Sequence, residues 1–510
     1  MSRRGIAAGL VGVWLVALGL LLRREYVRPP GERLAEAALT LPPGATYFAV
    51  TLAGSQIGYA SNTLDTLADT LRVVDVVVLE MPVLGEVQRT EARTEVLLSR
   101  TLTLRSFTAT VRGVGMRFAA EGRVDGDSVL EITLVGDESR EVRRLPLTEP
   151  IVLPQLLPLR IAFGGELDVG RSYDIRLFDP VLMAARTLTV EVAAESTFIV
   201  PQDTAVFDPA TGRWRPVVFD TLQAWRLREA SGRYPVDTWV DDLGRLVAAT
   251  SAAGFRLERS AYEVVYENFR NRDTTAPAVD LIRGTAIAAN VTLAPDTLAA
   301  LTVRLTGQSL AGLDLDGGRQ RLAGDTLFVR REVLAALRPG YRLPDAGQQF
   351  RPYLDPEPLV QSDDPRLQAQ ARQAIENTRR PEVAARRLTR WVYENLRKEV
   401  TTGVPSALDV YARRAGDCNE HTVLFVALAR AVGLPARTAA GLVYLDGTFY
   451  YHAWPEVWLG EWVAVDPTFG QFPADAAHLR LTVGGLARQL ELVRLVGRLD
   501  VDVVATEPAE

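Results

Sequence analysis

The chain has one cysteine, Cys418, and three histidines, His421, His452 and His478, all in its C-terminal part. Cys418 lies in Gly416-Asp417-Cys418-Asn419-Glu420-His421, just ahead of an apolar run from Thr422 to Val432 that Gly433-Leu434-Pro435 ends. That pattern predicts a helix with the cysteine at or just before its amino terminus. Unpaired N–H groups and the helix dipole favour thiolate over thiol there, and they can also hold a developing oxyanion. A sulfur so placed is a nucleophile that needs a base.

His452 and Asp466 fall in segments that read as neighbouring antiparallel strands. Thr438 to Tyr444 is one strand, Asp446-Gly447 turns it into Phe449 to Trp458, and Gly460-Glu461 turns again into Trp462-Val463-Ala464-Val465-Asp466. Register decides whether His452 meets Asp466. A two-residue loop at Gly460-Glu461 opposes 455 to 466 and sends His452 to the other face. A three-residue loop from Leu459 to Glu461 opposes 454 to 466, leaving His452 on the face of Asp466, one pair along. A Cys-His-Asp triad requires the second register, or a bulge near Pro455.

Several ordered blocks then resemble the transglutaminase-like superfamily over about residues 360 to 485. They are Gly416-Asp417-Cys418, Leu428-Ala429-Arg430-Ala431, Gly433-Leu434-Pro435-Ala436-Arg437, His452-Ala453-Trp454-Pro455-Glu456-Val457 and Trp462-Val463-Ala464-Val465-Asp466-Pro467-Thr468. Asp475-Ala476-Ala477-His478 with Leu479 resembles a tail found in bacterial members. The resemblance implies an α+β, papain-like core with Cys418 as nucleophile, His452 as base and Asp466 orienting the histidine, with no cofactor. It implies attack on a peptide or protein amide, a thioester, and resolution by an amine (acyl transfer) or by water (hydrolysis). No residue in these blocks matches the family's second oxyanion donor. The alternatives are a cysteine peptidase or amidase acting on cell-wall peptides, and a binding scaffold with an idle triad.

Blander readings stand beside these. A lone cysteine is often an inert core thiol. His421, three residues after Cys418, suggests a metal pair, but two ligands do not make a zinc site, so no metal is expected. His421 and His478 read as structural. Trp454 is the one tryptophan offered as an aromatic wall for substrate; Trp391, Trp458 and Trp462 read as core or groove residues. Glu456 either bonds backbone near the site or is an exposed strand acid.

Other elements must position these groups. Asp363 is the expected cap of a helix beginning near Pro365. A second helix follows Pro381, with Ala384, Leu388 and Val392 on one face, and Ser406 with Asp409 resembles a capping box for a short third. Residues 360–500 are the expected catalytic domain. Residues 45–270 read as an antiparallel β-rich domain, with hairpins at Gly54, Asp125-Gly126 and Asp242-Leu243-Gly244. A polar stretch from Asn271 to Ala278 separates it from a small β-rich segment over 279–350. Within that segment Leu313-Asp314-Leu315-Asp316-Gly317-Gly318 lacks the spaced acids and closing glutamate of a calcium loop, and reads as a hairpin turn.

Residues 1–26 are the expected membrane anchor. Gly5 to Leu22 is apolar or glycine throughout and bracketed by Arg3-Arg4 and Arg23-Arg24, just long enough to span as a helix. A cleaved signal is the competing reading, but leucines and arginines follow the only small-residue candidate, Ala17-Leu18-Gly19. Residues 27–44 then form a proline- and glycine-rich linker, and the expected placement is a single pass through a bacterial inner membrane with the body outside the cytoplasm. A net charge of -6 argues against a nucleic-acid partner. Lys398 is the one lysine among 57 basic residues, so an enzyme joining acyl groups to lysine would rarely modify itself.

Overall fold

The computed structural model describes residues 42–509, except 68, 84, 127, 165–166, 182, 231–235, 273–279 and 402. The expected anchor over 1–26, most of the linker and most of the polar stretch before 279 lie outside the described residues. No helix among the described residues is long and apolar enough to cross a membrane.

Alternating apolar residues from Tyr47 onward build one 14-stranded antiparallel sheet. The first eight strands, from Gly44–Leu52 to Arg140–Pro146, follow one another as neighbours. On its other side Gly44–Leu52 pairs with Phe255–Ser260, and the sheet runs back through Leu246–Ser251, Val236–Val240, Phe219–Glu229 and Ala184–Pro201 to the edge strand Ser172–Asp179. Leu130 and Ile132, next to one edge, share a core with Leu177 and Phe178 at the other, so the sheet curls on itself. The helix Leu157–Gly164 and the turn before it enter that curl, with Leu153, Leu156 and Ile161 in the same core. Val152 pairs with Leu177 and so covers part of the exposed edge.

The segment over 279–350 does not stand apart. Its strands Leu298–Thr306, Gln320–Ala323 and Thr326–Arg330 pair with the C-terminal strand Asp500–Pro508. A sheet this small cannot bury its apolar face alone. Leu301, Val303 and Leu327 therefore pack against Leu442, Phe449 and Leu479 of the catalytic region in one core. The stretch Leu313–Gly318 is pinned rather than free: the buried Arg480 guanidinium donates to the carbonyls of Asp314, Asp316 and Gly317.

The helix Cys418–Ala431 packs on the catalytic sheet, and three others, Pro365–Ala374, Pro381–Asn395 and Ala407–Arg413, pack against it in a shared core. The first is capped by Asp364, whose carboxylate accepts from Arg366 N–H, and not by Asp363. Ser406 makes no side-chain capping bond: its hydroxyl is engaged with the Gln361 amide, while Asp409 accepts from Glu138 N–H and the Ser139 hydroxyl. The sheet orders Ile287–Ala288, Thr448–Trp458, Ala436–Leu445 and His478–Val483, with Trp462–Ala464 also on Thr448–Trp458.

Glu456 is neither exposed nor bonded to backbone. It is 1% exposed and paired with Arg480 at 3.0 Å and Arg437 at 2.6 Å. Removing one side of a buried ionic cluster leaves charge without compensation, which typically costs about 3–5 kcal/mol. Urea unfolding followed by tryptophan fluorescence should show a loss of that order for Glu456→Leu; an unchanged midpoint would mean the cluster is not holding the strand that carries His452.

Candidate active site

Cys418 is the first residue of its helix, as the pattern around it predicts. The cap is Asp417: its carboxylate accepts from Asn419 N–H at 2.9 Å, while Glu420 reaches back to Asp417 N–H at 2.9 Å, a reciprocal capping box. His421 N–H donates to the Asp417 carbonyl at 3.1 Å. The cap therefore occupies most of the first-turn donors, which narrows the expected oxyanion site to the N–H of Cys418 itself.

The helix start lies against the His452 strand. Thr422 Oγ1 donates to the Ala453 carbonyl at 3.2 Å, and Ala453 N–H is directed at the Cys418 sulfur. Register is the three-residue one. Glu456 opposes Ala464, Val457 opposes Val463 and Trp458 opposes Trp462, with Leu459 N–H bonded to the Glu461 carbonyl across the loop. Extended along the strand, that pairing sets Trp454 opposite Asp466 and His452 on the same face. His452 Nε2 duly lies 2.8 Å from Asp466 Oδ2. With Nε2–H donating, the Nδ1 lone pair of neutral His452 is free to accept a proton.

Asp466 is 0% exposed and accepts from four donors. Oδ1 takes Thr468 N–H at 2.7 Å and Phe469 N–H at 3.1 Å; Oδ2 takes His452 and also His478, at 3.0 Å. Burial alone would raise this carboxyl, but the two imidazoles outweigh it and hold the group well below the usual carboxylate range. His478 in turn gives Nδ1 to Asp475 Oδ1 at 2.9 Å. Burial disfavours its cation, yet the bonds to Asp466 and Asp475 prevail and raise its pKa to about 9. Asp475 is lowered to about 2: burial opposes its charge, and the His478 bond more than compensates. The result is a chain of four side chains, His452, Asp466, His478 and Asp475. Reading His478 as merely structural missed this role; the signal was its spacing of three from Asp475, within the block already resembling a bacterial tail.

The thiol departs from expectation. Burial pushes Cys418 well up, the nearby charge of Asp417 adds to this, and the Ala453 N–H acts against them. The resting nucleophile is thus a thiol, and its ionisation has to be coupled to proton transfer. Asp417 is itself held well above the carboxylate range by burial and by its neighbour Glu420.

Trp454 is fully buried in a cluster with Ala439, Ala464 and Ala474, so it is no wall for substrate. The ring that covers His452 is instead Phe469, stacked at 5.0 Å between centroids. His421 bonds the Asp417 carbonyl through Nδ1 at 2.7 Å, and burial lowers its pKa, so it stays neutral and braces the helix start. His452, Asp466 and His478 present donor atoms within 4.8 Å of one another. Both imidazoles already spend Nε2 on the same carboxylate oxygen, so hydrogen bonding accounts for that convergence.

Residues 368–467 match the transglutaminase-like superfamily core. The C-terminal part of this chain is a transglutaminase-like domain. The superfamily is one of cysteine-based enzymes, and the matched stretch includes Cys418, His452 and Asp466. No curated protein matches the chain. Among solved structures, a candidate cysteine protease from Cytophaga hutchinsonii is 16% identical, over 41% of this chain and 87% of that one, with a TM-score of 0.26. So distant a likeness carries no argument about this transglutaminase-like domain.

The charged His478 makes stability depend on pH. Its folded pKa of about 9 exceeds the ordinary 6.5. Its stabilisation is therefore complete below about pH 6.5 and is lost as pH rises through about 9. Between those values the thermal midpoint of the wild type should fall more steeply than that of His478→Gln; parallel curves would contradict a buried imidazolium.

Proposed function

We propose that the transglutaminase-like domain transfers or hydrolyses the acyl group of peptide or protein amides through a thioester on Cys418. The observation that carries this reading is the bond between His452 Nε2 and Asp466 Oδ2. Asp466 occupies Nε2, leaving Nδ1 as the basic atom in the residue next to Ala453, which touches the sulfur.

As the Cys418 sulfur bonds to the amide carbon, its proton passes to His452 Nδ1, and the carbonyl oxygen gains charge near the Cys418 N–H. The carbon–nitrogen bond then breaks, and the same proton goes to the leaving nitrogen, releasing ammonia or an amine. His452 next deprotonates an amine or a water molecule, which attacks the thioester carbon. The carbon–sulfur bond breaks, and the proton returns to sulfur. An amine acceptor yields a new amide and water yields the acid. Keeping the resting sulfur as a thiol suits this sequence, since the proton needed by the leaving group is already on the nucleophile.

The N-terminal run Gly5 to Leu22 supports a membrane anchor. We place this domain outside the cytoplasm, where the curled β-rich sheet would hold substrate or a partner near the bilayer. Acyl transfer is tested by incubating the full chain with peptides from a cell-envelope digest, quenching in acid and weighing the Cys418 peptide. An acyl adduct released by hydroxylamine is expected, and it should be absent in His452→Gln. Finding no adduct on the wild type, or the same adduct on the variant, would remove the reading.

A further inference from the structure

The curled sheet encloses a cavity of about 650 Å³, remote in sequence from the catalytic residues. That size suits a small molecule with an apolar body. Its walls come from strands far apart in the sheet, including Phe48, Val73, Leu188 and Leu227, while Leu156 and Leu159 of the inserted helical segment lie across it. The segment sits close because residue 244 is glycine: with φ at +68°, an added Cβ would stand 2.8 Å from Leu159 Cα.

The polar atoms in this wall are few and incompletely satisfied. Asp75 bonds Asn62 through one oxygen at 2.7 Å, and its other oxygen, Oδ2, is buried without a partner among the described residues. Gln155 Nε2 is likewise buried and unbonded. Arg259, facing in from the strand beside Phe48, has a buried Nη1 with no hydrogen-bond partner among the described residues. The cation Arg245, itself paired with Asp241 at 2.7 Å, acts on it more strongly than Asp241, Asp220 or Asp203. Asp75 lies on Thr70–Val83, three strands along the sheet from the Phe255–Ser260 strand that carries Arg259, so the two lie at separate places in the wall. Of the arginines in the lining, Arg228 is paired with Asp237 and Arg245 with Asp241, whereas Arg259 Nη1 has no partner among the described residues, so Arg259 is the cation placed to receive an anion. Folded proteins pair nearly all their buried polar groups, so unpartnered polar atoms, two of them donors, around an apolar void point to a missing occupant.

We infer that this cavity binds a single-chain anionic amphiphile, its carboxylate or phosphate head on Arg259 and its apolar chain along Leu188, Leu227 and Leu156. This goes beyond the acyl-transfer reading and does not depend on it. A fatty acid and a lysophospholipid share that chemistry, and the two head groups can be separated experimentally.

The probe is a diazirine-bearing dodecanoate added to the detergent-solubilised full chain, cross-linked by light and mapped by peptide mass spectrometry. Labelling should concentrate on lining segments such as Phe48, Leu156 and Leu227. Dodecanoate or dodecyl phosphate should compete, whichever matches the head group better, and dodecyltrimethylammonium should not. Arg259→Gln should weaken binding by about tenfold or more, as expected for loss of a charged hydrogen bond. Ala249→Trp, which fills the wall, should abolish labelling. Thermal midpoints show that each variant is folded. Scattered surface labelling, equal competition by the cationic amphiphile, or undiminished labelling of Arg259→Gln would overturn the inference. So would an unlabelled cavity in the full chain, which would mean that the void stays empty or that the chain's own residues before Pro42 fill it.

Discussion

Everything proposed for the catalytic region depends on one carboxylate, Asp466, buried beyond solvent and satisfied on all sides. Two backbone N–H groups fix one oxygen and two imidazoles share the other. A carboxylate offers about four acceptor positions, and here each is taken. That saturation makes a buried negative charge tolerable. It also sets the tautomer of His452, because the nitrogen facing Asp466 has to carry hydrogen. A base is thus defined geometrically before any substrate arrives.

Saturation has a further consequence for His452. His478, cationic between Asp466 and Asp475, bonds the same Asp466 oxygen that holds His452 and fixes it from the other side. The base is consequently oriented firmly. Arg319, buried and donating to the carbonyls of Ala474 and Asp475 at 2.9 and 2.8 Å, fixes the far end of this chain of groups. The segment over 279–350, which supplies Arg319, is in this sense part of the catalytic region and not a spacer before it.

Much of the site was legible in the sequence because it is local. A cysteine before an apolar helical run fixes its own place at the first turn, and a strand-turn-strand pattern offers only two registers, one of which brings His452 to Asp466. What was not legible depends on distant partners. Glu456 reads as an ordinary strand acid until Arg437 and Arg480 are folded against it. Trp454 looks available for substrate until strand pairing buries it among alanines. The thiol pKa was misjudged for a similar reason: a helix terminus lowers it, but burial and the charge of Asp417, which only packing reveals, raise it further. In the β-rich region, alternation gave strands and hairpins correctly, but nothing local encodes that Phe255–Ser260 returns to Gly44–Leu52 and curls fourteen strands into one sheet.

The central claim is that His452 removes the proton of a sulfur that packing otherwise keeps neutral. Because Cys418 is the one cysteine in the chain, alkylation reports on it alone. The decisive measurement is the rate of iodoacetamide reaction at pH 7 for the full chain and for His452→Gln. The account predicts a loss of roughly 10²–10⁴-fold in the variant, the usual worth of a positioned base. Equal rates would contradict it.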